Sequence, residues 1–148
     1  MKTVNIYTDG ACKGNPGAGG WAAILECDGR EKELFGGEKG TTNNRMELTA
    51  AIEGLKALNK QCRVVLYSDS QYLVNAINKG WLANWKSKGW RKADKSQVLN
   101  DDLWKELDSL LSKYEVEFIW VRGHDGHAYN ERCDALASGY AEKLNENA

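Results

Sequence analysis

The sequence predicts an α/β domain in which helices cover a mixed β-sheet. Its 148 residues fit one domain at the usual ~100 to 200 residues per domain. Hydrophobic residues make up 42% of the chain and charged residues 28%, with one proline, which is an ordinary globular composition. Strand-like alternation dominates the first third of the chain, and helical periodicity separates the later strands. Such crossover helices imply that the later strands pair in parallel.

The first forty residues predict an antiparallel meander of three strands. In the first strand, Val4 and Ile6 share one face and Tyr7 lies on the other. Glycine, asparagine and proline at residues 14–17 indicate a turn, and Asp28-Gly29 is typical of a hairpin. The predicted strands cover residues 3–11, residues 21–25 and a third segment that ends near Phe35.

After residue 42 the periodicity becomes helical. Leu48, Ala51 and Leu55 fall on one stripe, and Thr42 is a candidate N-cap. The remaining predictions are a strand over residues 63–68, helices over 70–78 and 100–112, a strand over 116–121 and a helix over 130–144. With a helix in the segment before residue 100, the predicted order is β-β-β-α-β-α-α-α-β-α.

Location and redox state follow from what the chain lacks. No apolar run approaches the ~18 residues that span a bilayer, and the N-terminus has no signal-peptide pattern. We therefore expect a cytoplasmic protein without a membrane partner. We also expect a monomer, since no surface suited to self-association is evident. The widely spaced cysteines predict reduced thiols rather than disulfides or a zinc site: Cys12, Cys27, Cys62 and Cys133.

Four acidic residues occupy positions predicted to face the body of the protein. They are Asp9 in the first strand, Glu47 and Asp134 at helix starts, and Asp69 at a strand end. Taken singly, an acid in a first helical turn can serve the helix dipole, Asp69 can be an N-cap, and Asp9 can belong to a turn. Together, four converging acids would repel one another unless cations held them. Oxygen-only ligands suit Mg²⁺ or Mn²⁺ better than zinc.

A basic, tryptophan-rich segment stands out against an acidic chain. Residues 79–100 contain six basic residues and one acid, a charge of +5, whereas the remainder carries −6. Lysines interleaved with tryptophans suit a nucleic-acid backbone and its sugars. We expect phosphate contacts from four side chains: Lys86, Lys88, Arg91 and Lys92. Trp85 and Trp90 are better explained as core residues.

A third feature is the glycine-flanked His124. Glycines at residues 123 and 126 make a mobile loop plausible, and histidine titrates near neutral pH. His124 is therefore a candidate for proton transfer, with a purely structural role as the equal alternative.

Four segments together closely resemble bacterial ribonuclease HI, of the type 1 ribonuclease H family. They are YTDGACKGNPG at residues 7–17, TNNRMEL at 42–48, YSDSQY at 67–72, and GH at 123–124 followed by NERCD at 130–134. The similarity covers essentially the whole chain in the same order. It implies the ribonuclease H-like fold, with a five-stranded mixed sheet flanked by helices on both faces. It also implies one catalytic domain over residues 1–148, with a basic protrusion at about residues 79–97.

The resemblance also implies a reaction, the hydrolysis of the RNA strand of RNA–DNA hybrids to 5′-phosphate and 3′-hydroxyl ends. Asp9, Glu47, Asp69 and Asp134 match the metal-binding carboxylates of the family. His124 matches a loop histidine that assists proton transfer or product release. Two Mg²⁺ ions bound with substrate, replaceable by Mn²⁺, can orient and deprotonate the attacking water.

Further positions match family contacts to the hybrid duplex. Those lining its minor groove are Cys12, Asn15, Asn43, Asn44 and Gln71; Thr42 matches a DNA-phosphate contact and Trp81 a contact to DNA sugars. Such contacts read the shape and the 2′-hydroxyls of the hybrid rather than its bases.

Two alternatives remain open at this point. A DNA nuclease of the same superfamily would share the acidic site. It would lack the combination of a basic, tryptophan-rich segment with the amides of Asn43, Asn44 and Gln71. A non-catalytic hybrid-binding module would bind without metal and cleave nothing.

Overall fold

The computed structural model describes residues 1–123 and 125–146, which form a five-stranded mixed sheet with helices on both faces. The strands are β1 (Thr3–Gly14), β2 (Gly17–Cys27), β3 (Arg30–Thr41), β4 (Arg63–Ser68) and β5 (Glu115–Trp120). The helices are α1 (Asn43–Lys56), α2 (Gln71–Asn78), α3 (Trp81–Ser87), α4 (Asp101–Leu111) and α5 (Ala128–Glu146). The predicted fold class and order of elements are therefore confirmed.

The sheet has the strand order β3-β2-β1-β4-β5. Strands β1, β2 and β3 form the antiparallel meander, and β4 and β5 run parallel to β1. In this register Tyr7 of β1 lies opposite Tyr67 of β4. Asp9 and Asp69 each follow two residues later, so the register brings both to the same end of the sheet.

Two hydrophobic clusters fill the space on either face of the sheet. On one face α5 places Ala137 against a small cluster that includes Ile24. On the other, α1, α2 and α4 cover a larger core that includes Ile6, Leu66 and the fully buried Trp104. Helices therefore pack against both faces of the sheet.

The third strand is longer than the sequence predicted. It continues to Thr41 rather than ending near Phe35, because its second half pairs with the start of β2. That half pairs glycine with glycine at Gly20 and Gly37. Glycine removes the side-chain alternation on which the prediction depended.

The ordinary explanations of the acids are wrong. Glu47 is the fifth residue of α1 and Asp134 the seventh of α5, so neither lies in a first turn. The N-cap of α2 is Ser70, whose Oγ accepts the Leu73 N–H at 3.1 Å, not Asp69. Asp9 lies within β1, not in a turn.

The basic segment rests on the main core through its tryptophans. Trp85 and Trp90 are half-buried against that core, as predicted. The Val98 N–H donates to the Trp90 carbonyl at 3.0 Å, and Val98 is buried. The segment is thus an anchored protrusion.

All four cysteines are free thiols. Within residues 1–123 and 125–146, no helix is both long and apolar enough to cross a membrane.

Candidate active site

Three of the four predicted carboxylates converge where β4 ends beside β1. Asp9, Glu47 and Asp69 each present an oxygen, and these atoms lie within 4.8 Å of one another. Asp9 is 3% and Glu47 4% exposed, whereas Asp69 is half-buried. An oxygen-only cluster of this kind suits a hard divalent cation.

A close contact between strand and helix brings Glu47 to Asp9. The Asp9 carboxylate accepts the Gly10 N–H at 2.8 Å. Helix α1 crosses β1 at Gly10, where a Cβ would lie 2.6 Å from the Glu47 nitrogen. A side chain at residue 10 would therefore push α1, and Glu47 with it, away from the sheet.

Burial and mutual repulsion disfavour the charged forms of Asp9 and Glu47. Burial, then the charge of Asp69, raises the pKa of Asp9 to about 8, against a lowering by the Gly10 N–H. Burial, followed by the charges of Asp9 and Asp69, raises the pKa of Glu47 well above its usual range. A cation between the acids would favour their charged forms and so lower both pKa values.

One oxygen of Glu47 has no donor. Its Oε1 is buried and finds no hydrogen-bond partner within the described parts of the chain. Buried polar atoms are normally satisfied, so an orphaned carboxylate oxygen beside two further acids fits a metal ligand. The residues present therefore fit a divalent ion on both chemistry and coordination.

Asp134 lies on the wall of the same cleft but outside the three-carboxylate cluster. Helix α5 holds it half-buried, and the Ser138 Oγ lies 3.5 Å from its Oδ1 as a donor. Its charge contributes to the raised pKa of Asp9. The structure thus places all four acids around one cleft, with three in direct reach of one another.

The cleft has a volume of about 550 Å³ and is mainly polar. The predicted substrate residues that line it are Cys12, Asn43, Asn44 and Gln71. Asn15 lies beside it, since its Oδ1 accepts the Asn43 N–H at 3.1 Å. Thr42 caps α1 by accepting the Arg45 N–H at 3.2 Å.

The remaining predicted contacts lie on the protrusion and are not among the residues that line the cleft. Trp81 is 41% exposed, with the Lys79 ammonium 5.9 Å from its ring centroid. Lys86 forms an ion pair with Asp108 at 3.0 Å. The other members are exposed: Lys88, Arg91 and Lys92.

One prediction cannot be placed, and several lining residues were missed. His124 lies outside the described residues. Lys13, Tyr72 and Ser138 line the cleft without having been predicted. Lys13 and Tyr72 each adjoin a predicted residue, and Ser138 follows Asp134 by one helical turn, which is the only signal the sequence offers for them.

Comparison with known proteins decides the family. The sequence model of the RNase H family matches residues 1–142. The chain belongs to the RNase H family. Ribonuclease HI of Neisseria meningitidis serogroup B is 58% identical over 137 residues, 93% of this chain and 94% of that protein. The predicted resemblance and the assignment to a family of nucleases are confirmed.

Solved structures of RNase H proteins share the fold. LC9-RNase H1, described as a type 1 RNase H with the type 2 active-site motif, is 31% identical with a TM-score of 0.87. The match covers 97% of this chain and 74% of that one. LC11-RNase H1, solved in complex with RNA/DNA hybrid, is 21% identical with a TM-score of 0.71, which shows the fold alone. It covers 95% of this chain and 97% of that one.

Proposed function

We propose that this RNase H family member is an endoribonuclease that hydrolyses the RNA strand of RNA–DNA hybrids, leaving 5′-phosphate and 3′-hydroxyl ends. The observation that carries the proposal is the cluster of Asp9, Glu47 and Asp69 in a polar cleft with an orphaned buried oxygen. The hybrid-bound LC11-RNase H1 has the same fold.

The acids would hold the metal. Asp9, Glu47 and Asp69 would be ligands through their clustered oxygens, and Asp134 would complete the set from α5. Mg²⁺, as two ions with substrate and with Mn²⁺ as a substitute, supplies Lewis-acid stabilisation of the phosphate charge and a lowered pKa of water. Oxygen ligands favour Mg²⁺ in this role. His124 would move the proton of the attacking water or of the leaving group.

Polar groups along the cleft would recognise the hybrid. Asn43, Asn44 and Gln71 offer amides that can both donate to and accept from 2′-hydroxyls. The Cys12 thiol already donates to the Thr41 carbonyl at 3.4 Å, so toward substrate it would accept. Asn15 would act with Asn43, to which it is hydrogen-bonded.

The DNA strand would be held by phosphate and sugar contacts. The Thr42 oxygen accepts the Arg45 N–H, which leaves its own proton to donate to a phosphate at the start of α1. Trp81 would lie against DNA sugars from its exposed position. The basic side chains would neutralise phosphates: Lys86, Lys88, Arg91 and Lys92.

We also propose that residues 1–148 act as one catalytic domain and as a monomer, with the protrusion at about residues 79–97. One sheet contributes to both hydrophobic clusters, which supports a single domain. Sedimentation of the free protein and of its hybrid complex tests the monomer.

The proposed function is tested by one labelled duplex in three forms: RNA–DNA, RNA–RNA and DNA–DNA. Each is incubated with Mg²⁺ or with EDTA, using wild type and Asp69→Asn. We expect metal-dependent cleavage of RNA only in the hybrid, with loss of activity in the variant. Cleavage of the DNA duplex would favour the superfamily DNA nuclease, and hybrid binding without cleavage under any metal would favour the binding module.

A further inference from the structure

The side chain of Trp120 is hydrogen-bonded to the residue that carries one of the clustered acids. Trp120 is the last residue of β5, and its indole N–H donates to the backbone carbonyl of Asp69 at 3.1 Å. The two residues are 51 positions apart in the chain. The contact therefore links the edge strand directly to the carboxylate cluster.

Asp69 itself belongs to no strand or helix. The β4–β5 ladder ends at Ser68, whose carbonyl accepts the Val121 N–H at 2.9 Å. Ser70 is already the N-cap of α2. Within the described part of the chain, the Asp69 carbonyl accepts its hydrogen bond from the indole of Trp120. That bond continues the hydrogen bonding between β5 and the β4 chain by one residue, from Ser68 to Asp69.

Core packing does not explain the position of this tryptophan. Trp120 is 44% exposed, although Phe118, two residues earlier on the same face of β5, is buried. A large aromatic that stays half in water gives up much of the free energy of burial. The interaction that this position of Trp120 does provide is the hydrogen bond from its indole N–H to the Asp69 carbonyl.

The chain after β5 also approaches the carboxylate of Asp69 closely. A Cβ built on Gly123 would lie 2.8 Å from Asp69 Oδ2. Gly123 therefore leaves room for the carboxylate where it stands, and a side chain there would displace it. The backbone of Asp69 is held by Trp120, and its side chain lies against Gly123.

We propose that Trp120 is a positioning residue for Asp69, holding its carboxylate at the distance from Asp9 and Glu47 that metal binding requires. This rests on the proposed function in one respect, that the cluster binds a divalent ion. Partners that orient a metal ligand without touching the metal commonly contribute tenfold or more to affinity. Trp120 acts through Asp69 and needs no contact with substrate.

The test is Trp120→Phe, which keeps an aromatic ring and removes the N–H. Its matched control is Phe35→Leu, which alters an exposed aromatic on the opposite edge strand. Mn²⁺ binding to the free proteins is measured by electron paramagnetic resonance, beside thermal unfolding without metal. We expect roughly tenfold weaker Mn²⁺ binding in Trp120→Phe alone, with little change in metal-free melting. Unchanged Mn²⁺ affinity, or an equal loss in the control, would overturn the proposal.

A second pair of variants reaches the carboxylate from the other side. Gly123→Ala would press on Asp69 Oδ2, whereas Gly40→Ala adds a methyl group to open space. Cleavage assays across a range of metal concentrations should show both Trp120→Phe and Gly123→Ala recovering activity at high metal, with KM for the hybrid unchanged. A lowered rate that excess metal does not restore would contradict a positioning role. If wild type binds Mn²⁺ but cleaves no hybrid, the proposed function fails while the positioning of Asp69 remains testable by binding.

Discussion

Asp9 is the residue at which stability and the proposed chemistry oppose each other most directly. It is buried in the central strand of the sheet, within reach of two other acids. Its ordinary pKa is 3.8, and in the folded chain the pKa rises to about 8. The fold therefore binds a proton there, or a cation, more readily than the unfolded chain does.

The first prediction is that Asp9→Asn stabilises the metal-free protein. An acid whose folded pKa is raised keeps its proton after the unfolded chain has lost its own, so stability falls as pH rises from about 4 through about 8. Asparagine keeps an oxygen for the Gly10 N–H and has no charge. We expect a gain on the order of 2 kcal/mol at pH 7 and a flatter pH dependence.

Urea unfolding in EDTA from pH 4 to pH 9 measures this effect. The exposed-acid variant Glu142→Gln is the control, and it should follow wild type. Added Mg²⁺ should stabilise wild type and not Asp9→Asn, because an ion that binds only the folded state adds free energy of folding. Equal pH profiles for wild type and Asp9→Asn would show that the buried acid is not the cause.

The acids of the cluster could be predicted from the sequence, but the residues that hold Asp69 in place could not. Asp9, Glu47 and Asp69 stand at positions where periodicity points inward, and their oxygens do meet in the fold. Their metal-binding roles stay predictions. Trp120 and Gly123 gave no such signal, because their contacts to Asp69 depend on where β5 ends relative to β4. That relation is fixed by strand register, not by any local pattern.

At the scale of elements, the site depends on how closely two helices approach the sheet. Helix α1 meets β1 at Gly10, and α5 meets β2 at Gly20, where a Cβ would collide with the Ala137 carbonyl. Each helix carries one acid of the cleft, Glu47 on α1 and Asp134 on α5. A backbone-to-backbone approach of this kind allows almost no adjustment, since the interior is close-packed.

The second prediction compares two glycine-to-alanine changes that involve α5. Gly20→Ala forces the helix backbone away from β2 and should cost roughly 1–3 kcal/mol, the usual range for overpacking. Gly139→Ala, exposed within α5 and facing open space, should instead stabilise by about 0.5–1 kcal/mol through helix propensity.

Denaturant unfolding of both variants gives the two free energies. The hybrid-cleavage rate should fall in Gly20→Ala below the temperature of unfolding, because Asp134 moves with α5. A stable and fully active Gly20→Ala would show that α5 can shift without consequence for the cleft.

Element order was predictable where periodicity is strong and not where glycine interrupts it. The stripe of Leu48, Ala51 and Leu55 predicted α1 well, and alternation predicted β1. The second half of β3 was missed because its glycines carry no alternation, although its backbone pairs with β2, with one register shift between Gly17 and Gly19. Helix α5 begins at Ala128, two residues before the predicted start, which places Asp134 further from the helix start than the sequence predicted.

At the scale of the whole molecule, charge is divided between one protrusion and an acidic remainder. The net charge of −1 conceals +5 on residues 79–100 and −6 elsewhere. A polyanionic duplex is thus attracted at the protrusion and repelled by much of the remaining surface. The charges would orient the hybrid before the cleft contacts it.

The third prediction tests this division with two triple variants of equal charge change. Lys88, Arg91 and Lys92 are replaced by alanine in one, and Lys60, Lys113 and Lys143 in the other; all six residues are exposed. Lys86 is left in place because Asp108 already neutralises it in part. Loss of three phosphate contacts should reduce the slope of log affinity against log salt by roughly 2 to 3, whereas the control slope should stay near that of wild type.

Hybrid binding is measured in EDTA between about 50 and 200 mM salt, because binding through phosphate contacts loses most of its affinity over roughly this range. Cleavage at saturating hybrid should be unchanged in the protrusion variant, because the carboxylate cluster lies in the cleft and not on the protrusion. Equal slopes in the two triple variants would mean that net charge alone governs binding. A fall in cleavage at saturation would mean instead that the protrusion also sets the position of the RNA strand over the acids.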